Sequence, residues 1–512
     1  MKTIKGSLLQ PALAVVSGLL LFLSFPKYGN GMIAWVAVVP LLFALSQASA
    51  KEGFKLGFLA GLVAHVGILY WIAIVVVQYG YLPLYVGIGA MLLLAAYLSF
   101  YTAIFSMGVV ILRQRGIPLV LSAPLLWTIL EYLRSQLFTG FPWENLAYSQ
   151  YLFRNIVQIA DITGIYGISF AIVMLNVVIH DLLRGNGRKR TLFCETAVVC
   201  VLLAAMLGYG QFRIGAIEKL CRNAKSLDVV LVQGNIDQNI KWNALYQEKT
   251  IDIYRSLSLE SGISRGGLIV WPETAAPFYF QRPDALQKRV LDVAKTTGAT
   301  LLLGSPSYGE EQGNVYYGNS AFLVSPDGSF SNKYDKVHLV PYGEYVPLRR
   351  WFPFIGKLVA GIGDFRPGNG YKPLQSNEGR LGVLICYEGI FPEASRDYKQ
   401  GHAELLVNIT NDAWFGDSSA PYQHLSMTVF RAIESRLSLV RAANTGISAF
   451  IDPTGAIIFK TPTFARTVLK GSTKLIDEKT FYAAYGDQFV YLCFVALIGL
   501  YIYTARRRKK HA

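Results

Sequence analysis

Hydrophobic residues follow two different patterns along the chain, which change near residue 215. Before that point lie long apolar stretches, each close to the roughly 20 residues that a helix needs to cross a bilayer. A further stretch of this kind lies near the C-terminus. We therefore predict a membrane domain of seven helices in residues 1–215 and an eighth helix in residues 488–512, at approximately 8–25, 31–48, 54–77, 82–112, 118–137, 161–183, 191–212 and 489–504.

Residues 216–487 show the second pattern, in which short apolar or β-branched runs alternate with helix-like segments. This alternation predicts an α/β domain built around a sheet, with parallel or mixed strand pairing. We expect strands at 227–232, 268–271, 300–304, 321–324, 381–385, 405–409 and 448–451, and helices at 245–262, 283–297 and 421–437.

The composition supports a membrane protein. Charged residues make up only 16% of the 512 residues, whereas about 25% is usual in soluble domains. The mean hydropathy is +0.35. The net charge of +15 raises the question of nucleic acid binding, but much of the positive charge lies beside apolar stretches. We therefore expect the bilayer, and not nucleic acid, as the partner of these basic residues.

The basic residues also predict the orientation of the chain. They concentrate before the first predicted helix, after the second, fourth and sixth, and in the C-terminal tail (Lys2, Lys5, Lys51, Lys55, Arg113, Arg115, Arg184, Arg188, Lys189, Arg190 and 506–510). Loops rich in Lys and Arg stay in the cytoplasm. We therefore predict a multi-pass protein with both termini cytoplasmic. In a bacterium with an outer membrane, this protein lies in the inner membrane and its α/β domain in the periplasm.

The five cysteines, at 194, 200, 221, 386 and 493, show no CxxC motif and no spacing typical of metal ligands. They therefore indicate neither a disulfide framework nor a zinc site. Cys386 differs from the others because it directly follows a predicted buried strand, and the carboxyl end of a strand is a common place for chemistry. It is a candidate nucleophile, although a lone cysteine is more often a small buried hydrophobic residue.

Two other strand ends carry reactive groups. Glu273 follows the strand at 268–271, and the segment 332–344 contains Lys336 and Glu344. Acyl transfer needs a nucleophile, a base that activates it and a positive group where the oxyanion develops. A cysteine, a glutamate and a lysine suit these roles in that order. Taken singly, Glu273 is equally suited to cap a helix and Lys336 to be a solvated loop charge.

Three motifs resemble those of the nitrilase, or carbon–nitrogen hydrolase, superfamily over roughly 227–470. They are Val270-Trp-Pro-Glu273, Lys333-Tyr-Asp-Lys336-Val-His-Leu and Leu384-Ile-Cys386-Tyr-Glu388. The resemblance implies an α-β-β-α sandwich fused to the all-α polytopic membrane domain. It also implies that Glu273 is the general base, Lys336 stabilises the oxyanion and Cys386 is the nucleophile.

With its predicted membrane helices, the whole chain resembles the apolipoprotein N-acyltransferase family. This resemblance implies the last step of lipoprotein maturation, by a ping-pong mechanism. An acyl chain passes from a phospholipid, usually phosphatidylethanolamine, through a Cys386 thioester to the α-amino group of the N-terminal diacylglyceryl-cysteine of an apolipoprotein. It implies no metal and no cofactor.

The same resemblance suggests supporting residues. By position, Glu344 is similar to a second essential glutamate, Trp242 to a residue on a mobile lid, and Tyr387 and Glu388 to the neighbours of the nucleophile. Asn319 is a further candidate. An apolar mouth for the acyl tail is expected from the aromatic and aliphatic segments 278–280, 351–355 and 359–362, which are equally compatible with ordinary core or surface turns.

Two other functions are compatible with parts of the sequence. A membrane-tethered amidase or nitrilase that hydrolyses small amides would share the Glu, Lys and Cys motifs. A transporter with an accessory binding domain would share the membrane helices, but transport sites need polar or broken helices near the midplane. The predicted spans are nearly free of charge, which disfavours the transporter.

Overall fold

The computed structural model describes residues 2–185, 189–330, 332–346 and 365–511. The described chain forms two compact units. The first comprises Met1–Ala73, Ile88–Gly215 and Tyr485–Ala512, and the second comprises Ile74–Gly87 and Ala216–Ala484. The expected mouth segments 351–355 and 359–362 lie outside the described residues.

The N-terminal part of the chain is helical. Its α-helices are α1 (Lys2–Phe22), α2 (Ala34–Ala37), α3 (Val39–Ala44), α4 (Ala50–Leu69), α5 (Trp71–Ile74), α6 (Leu84–Gln114), α7 (Leu119–Gln136), α8 (Arg154–Val157), α9 (Ala160–Thr163), α10 (Tyr166–Arg184) and α11 (Lys189–Asn223). Three short turns of 3-10 helix and one of π-helix lie between them, at Gly31–Ile33, Leu45–Gln47, Leu146–Gln150 and Val75–Tyr79. Every apolar stretch predicted in this part of the chain is helical over most of its length.

Five helices among the described residues are long and apolar enough to cross a membrane, by length and composition alone. They are Ala50–Leu69, Leu84–Gln114, Tyr166–Arg184, Lys189–Asn223 and Gln488–Arg507. Leu8–Phe22 and Gly31–Gln47 are shorter apolar helices. The number of eight spans therefore stays a prediction.

The stretch predicted as a span at 31–48 is not one regular helix. It consists of the 3-10 turn Gly31–Ile33, α2, α3 and the 3-10 turn Leu45–Gln47. Pro40 lies at the start of α3. A proline has no backbone N–H and its ring collides with the preceding turn, so it is tolerated at a helix start and interrupts a continuous helix.

The second unit contains two sheets of six strands each. In the first sheet the order is β12-β1-β2-β3-β4-β5, and in the second it is β11-β10-β9-β8-β7-β6. The strands are β1 (Lys225–Gln233), β2 (Leu268–Val270), β3 (Thr300–Glu311), β4 (Asn314–Val324), β5 (Asn332–Asp335), β6 (Leu374–Gln375), β7 (Arg380–Ile385), β8 (Leu405–Thr410), β9 (Ser438–Ala443), β10 (Ala449–Ile451), β11 (Ile457–Lys460) and β12 (Thr467–Leu475).

Three neighbouring strands in each sheet are parallel. They are β1, β2 and β3 in the first sheet and β7, β8 and β9 in the second, and the remaining neighbours are antiparallel. These parallel strands carry apolar runs, as expected for strands buried on both faces, although Arg441 interrupts the run of β9. Their carboxyl ends bring polar side chains to one edge of each sheet.

Helices cover the outer face of each sheet, while the two sheets face each other. The helices of this unit are α12 (Gln238–Lys241), α13 (Ala244–Glu260), α14 (Ala285–Thr297), α15 (Pro392–Gln400), α16 (Ala420–Ser435) and α17 (Phe481–Tyr485). α13 and α14 share a core with the first sheet, and α15 and α16 pack on the second. The layers are therefore helix, sheet, sheet, helix, as the resemblance to the nitrilase superfamily implied. The last helix, α18 (Gln488–His511), belongs to the first unit.

Phe280, in the segment 278–280 that was expected at an apolar mouth, lies in the core. Phe280 has an exposed fraction of 0%, and its ring packs against the rings of Phe322 and Phe330. Phe278 is half-buried against the same core. Phe278 and Tyr279 are only half-buried, so their part in an apolar mouth stays a prediction.

Candidate active site

The turn that carries Glu273 is held rigidly on both sides. Trp271 is fully buried, stacks on Tyr254 and donates from Nε1 to Ser258 Oγ at 2.8 Å. Gly304 on β3 lies against the turn, since a Cβ at this position would stand 2.6 Å from the Cα of Glu273. A side chain at residue 304 would push the turn away, so this glycine sets the position of the Glu273 carboxylate.

Four predicted site residues form one hydrogen-bonded cluster. Asn319 Nδ2 donates to Glu273 Oε1 at 2.7 Å and to Glu344 Oε1 at 2.8 Å. Lys336 Nζ lies 2.8 Å from Glu344 Oε2 and 3.9 Å from Glu273 Oε1. The structure thus brings two carboxylates, an ammonium and an amide together from the ends of β2 and β5, from the loop after β5 and from the middle of β4.

Lys336 is almost completely buried, with an exposed fraction of 1%. Burial disfavours its charged form, but the carboxylates of Glu344 and Glu273 outweigh that effect and raise the pKa of Lys336 above its ordinary value. The side chain is therefore a permanently charged ammonium and not a solvated loop charge. A fixed buried positive charge of this kind suits the stabilisation of an oxyanion.

Cys386 follows β7 in a strained conformation. Its φ is +52°, which is uncommon for a residue with a side chain. Burial raises the pKa of its thiol, the negative charge of Glu273 raises it further, and Lys336 acts in the opposite direction. The resting thiol therefore keeps its proton, so a base must remove that proton during attack on a carbonyl.

Glu388 joins the loop after Lys336 to β7 through hydrogen bonds to backbone N–H groups. Its Oε1 accepts from Tyr334 Oη and from the backbone N–H groups of Val337 and His338, at 2.7 to 3.1 Å. Its Oε2 accepts from the N–H of Ile385 at 2.7 Å. Burial raises the pKa of this carboxyl to about 7, against the opposing effect of the Ile385 N–H. Glu388 thus ties the loop after Lys336 to the strand that ends at Cys386.

Two predicted residues lie outside the cluster. The Tyr387 ring packs against the rings of His338 and Phe391. Trp242 follows α12 and has an exposed fraction of 38%. Its half-exposed position, beside the short helix α12, is compatible with the lid role that the resemblance implied, which stays a prediction.

The sequence did not predict the hydrogen bonds that hold Glu273 in place. The backbone N–H of Asn411, at the end of β8, donates to Glu273 Oε2 at 2.9 Å. The Asn411 side chain donates to Gln238 on α12 at 2.7 Å. Lys241, the last residue of α12, is fully buried and donates to the backbone carbonyl of Glu273 at 3.2 Å. The helix that precedes Trp242 is therefore anchored directly to the turn of Glu273.

Replacing Lys241 with methionine is expected to change how stability depends on pH. Burial lowers the pKa of Lys241 to about 7, although the Glu273 carboxylate acts in the opposite direction. Above this pKa the folded chain holds one proton fewer than the unfolded chain, so the wild-type free energy of unfolding rises with pH. The expected slope is roughly 1.4 kcal/mol per pH unit up to about pH 10.

Equilibrium unfolding in detergent at pH 6 to 10 measures this effect. Lys241→Met lacks the titration, so its stability relative to the wild type should be greatest at pH 6 to 7 and decline as the pH rises. Lys288→Met, which changes an exposed lysine of α14, is the matched control and should keep a constant difference. A constant difference for Lys241→Met as well would contradict the prediction.

A second group that was not predicted is a cluster of buried polar side chains in contact with the backbone of Cys386. It consists of Asp412 after β8, His424 on α16 and Arg441 on β9, all with exposed fractions of 0 or 1%. Arg441 Nη2 lies 2.8 Å from Asp412 Oδ2, and His424 Nε2 lies 3.0 Å from the Cys386 carbonyl oxygen. The available signal was a charged residue within an otherwise apolar run, Arg441 in Ser438–Ala443, since buried charges need partners.

Among the described residues, no group of three or more His, Cys, Asp or Glu side chains is arranged to hold a metal ion. The ammonium of Lys336 occupies the place next to the two carboxylates.

Two family models match the chain. The apolipoprotein N-acyltransferase N-terminal domain matches residues 17–178, and the carbon-nitrogen hydrolase domain matches residues 229–477. An apolipoprotein N-acyltransferase of Geobacter metallireducens is 47% identical over 98% of this chain and 96% of its own length. One of Pasteurella multocida is 30% identical over 96% of this chain and 94% of its own.

Solved structures similar to this chain include an amidase from Nesterenkonia sp. It is 21% identical, with a TM-score of 0.38, and the match covers 52% of this chain and 96% of the amidase.

Proposed function

We propose a two-step acyl transfer through Cys386 for this chain, which belongs to the apolipoprotein N-acyltransferase family within the carbon-nitrogen hydrolase superfamily. Membership of this family implies lipid and lipoprotein substrates. The observation that carries the residue assignment is the cluster of Glu273, Asn319, Glu344 and Lys336. The charges of two of its members, Glu273 and Lys336, act on the thiol of Cys386.

In the first step the Glu273 carboxylate takes the proton of the Cys386 thiol, and the sulfur attacks the ester carbonyl of a phospholipid. The Lys336 ammonium stabilises the oxyanion of the tetrahedral intermediate. The C–O bond of the ester then breaks, and the lysophospholipid oxygen takes the proton from Glu273. The acyl chain remains on Cys386 as a thioester, and Glu273 is again a carboxylate.

In the second step an amine attacks the thioester carbonyl. Glu273 accepts the proton that the attacking nitrogen loses, and Lys336 again faces the oxyanion. The C–S bond breaks, and the departing sulfur regains a proton from Glu273, because the raised pKa of the buried thiol favours its neutral form. The products are an amide and the free enzyme, as a ping-pong mechanism requires.

Phosphatidylethanolamine is the proposed donor, and the α-amino group of an N-terminal diacylglyceryl-cysteine is the proposed acceptor. Both carry acyl chains that keep them in a bilayer. The concentration of Lys and Arg in alternate loops supports a catalytic unit on the periplasmic side of the inner membrane, with both termini in the cytoplasm. This placement would bring both substrates to the same surface.

A donor-labelling experiment tests this function. The full-length protein, purified in detergent, is mixed with phosphatidylethanolamine that carries one isotope-labelled acyl chain, and the peptide containing Cys386 is analysed by mass spectrometry. We expect this peptide to gain the mass of the labelled acyl group. Addition of a diacylglyceryl-cysteine peptide should move the label to the amino group of that peptide and release Cys386.

The same preparation distinguishes the transferase from a membrane-tethered amidase. Small aliphatic amides are offered in parallel, and ammonia release is measured. Absence of acyl from Cys386 under conditions in which small amides are cleaved would overturn the transferase and favour the amidase. Label on Cys386 that only water removes would contradict the second step alone.

A further inference from the structure

His424 contacts the backbone of the proposed nucleophile, Cys386. It lies on α16 with an exposed fraction of 1%, and its Nε2 is 3.0 Å from the carbonyl oxygen of Cys386. A carbonyl oxygen only accepts hydrogen bonds, so Nε2 must carry the proton and donate. This contact ties α16 to the peptide group that joins Cys386 to Tyr387.

The other side of the imidazole is held by charged groups. Arg441 Nη2 lies 3.1 Å from Nδ1 of His424, and Asp412 Oδ1 lies 3.1 Å from the same atom. Burial lowers the pKa of His424, and the charge of Arg441 lowers it further, although Asp412 acts in the opposite direction. Whether Nδ1 accepts from Arg441 or donates to Asp412, Nε2 carries the proton that the Cys386 carbonyl accepts.

Asp412 and Arg441 are themselves fixed. Thr410 Oγ1 donates to Asp412 Oδ1 at 2.8 Å, and Arg441 Nη2 donates to Asp412 Oδ2 at 2.8 Å. Arg441 Nη1 also donates to Asn408 Oδ1. All these residues are buried. The orientation of His424 is thus determined by residues of β8 and β9 in the second sheet and by Asp412, which follows β8.

The hydrogen bond acts on a peptide group of defined geometry. A trans peptide is planar, and its C=O and N–H point in opposite directions. A carbonyl of Cys386 held towards His424 therefore directs the N–H of Tyr387 away from His424. The positive φ of Cys386 is uncommon for a residue with a side chain and is maintained only when surrounding contacts enforce it.

We propose that His424 is a positioning residue for acylation, which holds the Cys386–Tyr387 peptide so that the Tyr387 N–H donates to the oxyanion opposite Lys336. This inference rests on the proposed function, because it requires Cys386 to attack a carbonyl. His424 does not touch the substrate. It acts through the peptide, and its loss removes one of the donors that stabilise the tetrahedral intermediate.

Two reactions of the same thiol test this role. Acylation of Cys386 by labelled phosphatidylethanolamine develops an oxyanion, whereas alkylation of Cys386 by iodoacetamide does not. In His424→Phe we expect the maximal rate of acylation to fall by about 10²-fold, the usual effect of losing one oxyanion donor. The donor concentration at half-maximal rate and the alkylation rate should change by no more than about twofold, since both are independent of the oxyanion.

Two polar variants separate the hydrogen bond from the packing. The side-chain nitrogen of glutamine reaches roughly as far as Nε2 of histidine, and that of asparagine only as far as Nδ1. His424→Gln should therefore recover much of the acylation rate, and His424→Asn should not. If His424→Phe does not fold, the comparison of these two variants gives the same answer. Ser435→Ala, which removes a hydroxyl bonded within α16, is the control and should behave as the wild type.

The outcomes are distinct. Equal loss of acylation and alkylation in His424→Phe would show that His424 only holds the thiol in place and would overturn the proposal, as would unchanged acylation. Equal rates for His424→Gln and His424→Asn would also overturn it. Failure of the wild type to acquire acyl at Cys386, with normal alkylation, would instead refute the proposed function.

Discussion

Cys386→Ser is expected to lose acyl transfer down to background, a decrease on the order of 10⁵ to 10⁶, as found when a covalent nucleophile is removed. The buried thiol already keeps its proton in the resting state because its pKa is raised. A serine hydroxyl is a much weaker acid than a thiol, so the same base would have to abstract a far less acidic proton. The measurement is transfer of a labelled acyl chain to a diacylglyceryl-cysteine peptide, followed by mass spectrometry.

The matched control is Cys221→Ser, which changes a half-buried cysteine near the end of α11. This variant should transfer acyl chains at the wild-type rate, and the label should still appear on the Cys386 peptide. Transfer at the wild-type rate by Cys386→Ser, or label on another cysteine of that variant, would contradict the assignment of Cys386 as the nucleophile.

The sequence predicted the parts of the fold that depend on local pattern. The apolar runs that became β2, β7 and β8 are buried on both faces, and their hydrophobic residues identified them. β12 was not predicted because most of its residues are partly buried or exposed and polar residues interrupt its apolar positions. β9 was not predicted because Arg441 interrupts its apolar run. The carboxylate that pairs with this buried charge, Asp412, is distant in the sequence and gives no local signal.

In the candidate site as well, residues with a local sequence pattern were predicted and residues that act through tertiary contacts were not. Glu273 and Cys386 were predicted because each follows an apolar run, and Lys336 because of the motif that contains it. The family resemblance that these motifs carried is confirmed by the matches over nearly the whole chain. Lys241 and Asn411 support Glu273 through hydrogen bonds that involve main-chain atoms. Such contacts depend on the tertiary fold and leave no local pattern in the sequence.

The family resemblance selected Glu388, but the contacts of its carboxylate could not be predicted from the sequence. The resemblance selected Glu388 as a neighbour of the nucleophile, but its contacts lie mainly in the loop after Lys336. The carboxylate accepts from backbone N–H groups of that loop and from the N–H of Ile385, the last residue of β7, so it fixes their spacing. We infer that Glu388 aligns Lys336 with Cys386, which is a property of the assembled second unit.

The effect of Glu273→Gln should be the second largest, a decrease in the acylation rate of roughly 10² to 10⁴, the range for loss of a general base. Glutamine retains the shape of the side chain and an oxygen for Asn319, but it cannot take the thiol proton. Its amide also cannot satisfy Asn319 and the Asn411 N–H with two acceptor oxygens, as the carboxylate does. The rate of labelled thioester formation on Cys386 measures the loss.

A pH series identifies the cause of this loss. Without the base, attack depends on the small thiolate fraction, which rises about tenfold per pH unit below the thiol pKa. That pKa is raised in the folded protein, so acylation by Glu273→Gln should still be rising steadily at pH 9. Glu344→Gln is the matched control. It removes the other carboxylate that contacts Lys336 and Asn319 and leaves Glu273 in place, so its acylation rate should lack this steep rise. A Glu273→Gln profile parallel to that of Glu344→Gln would mean that Glu273 contributes only charge, and the proton of Cys386 would then need another acceptor.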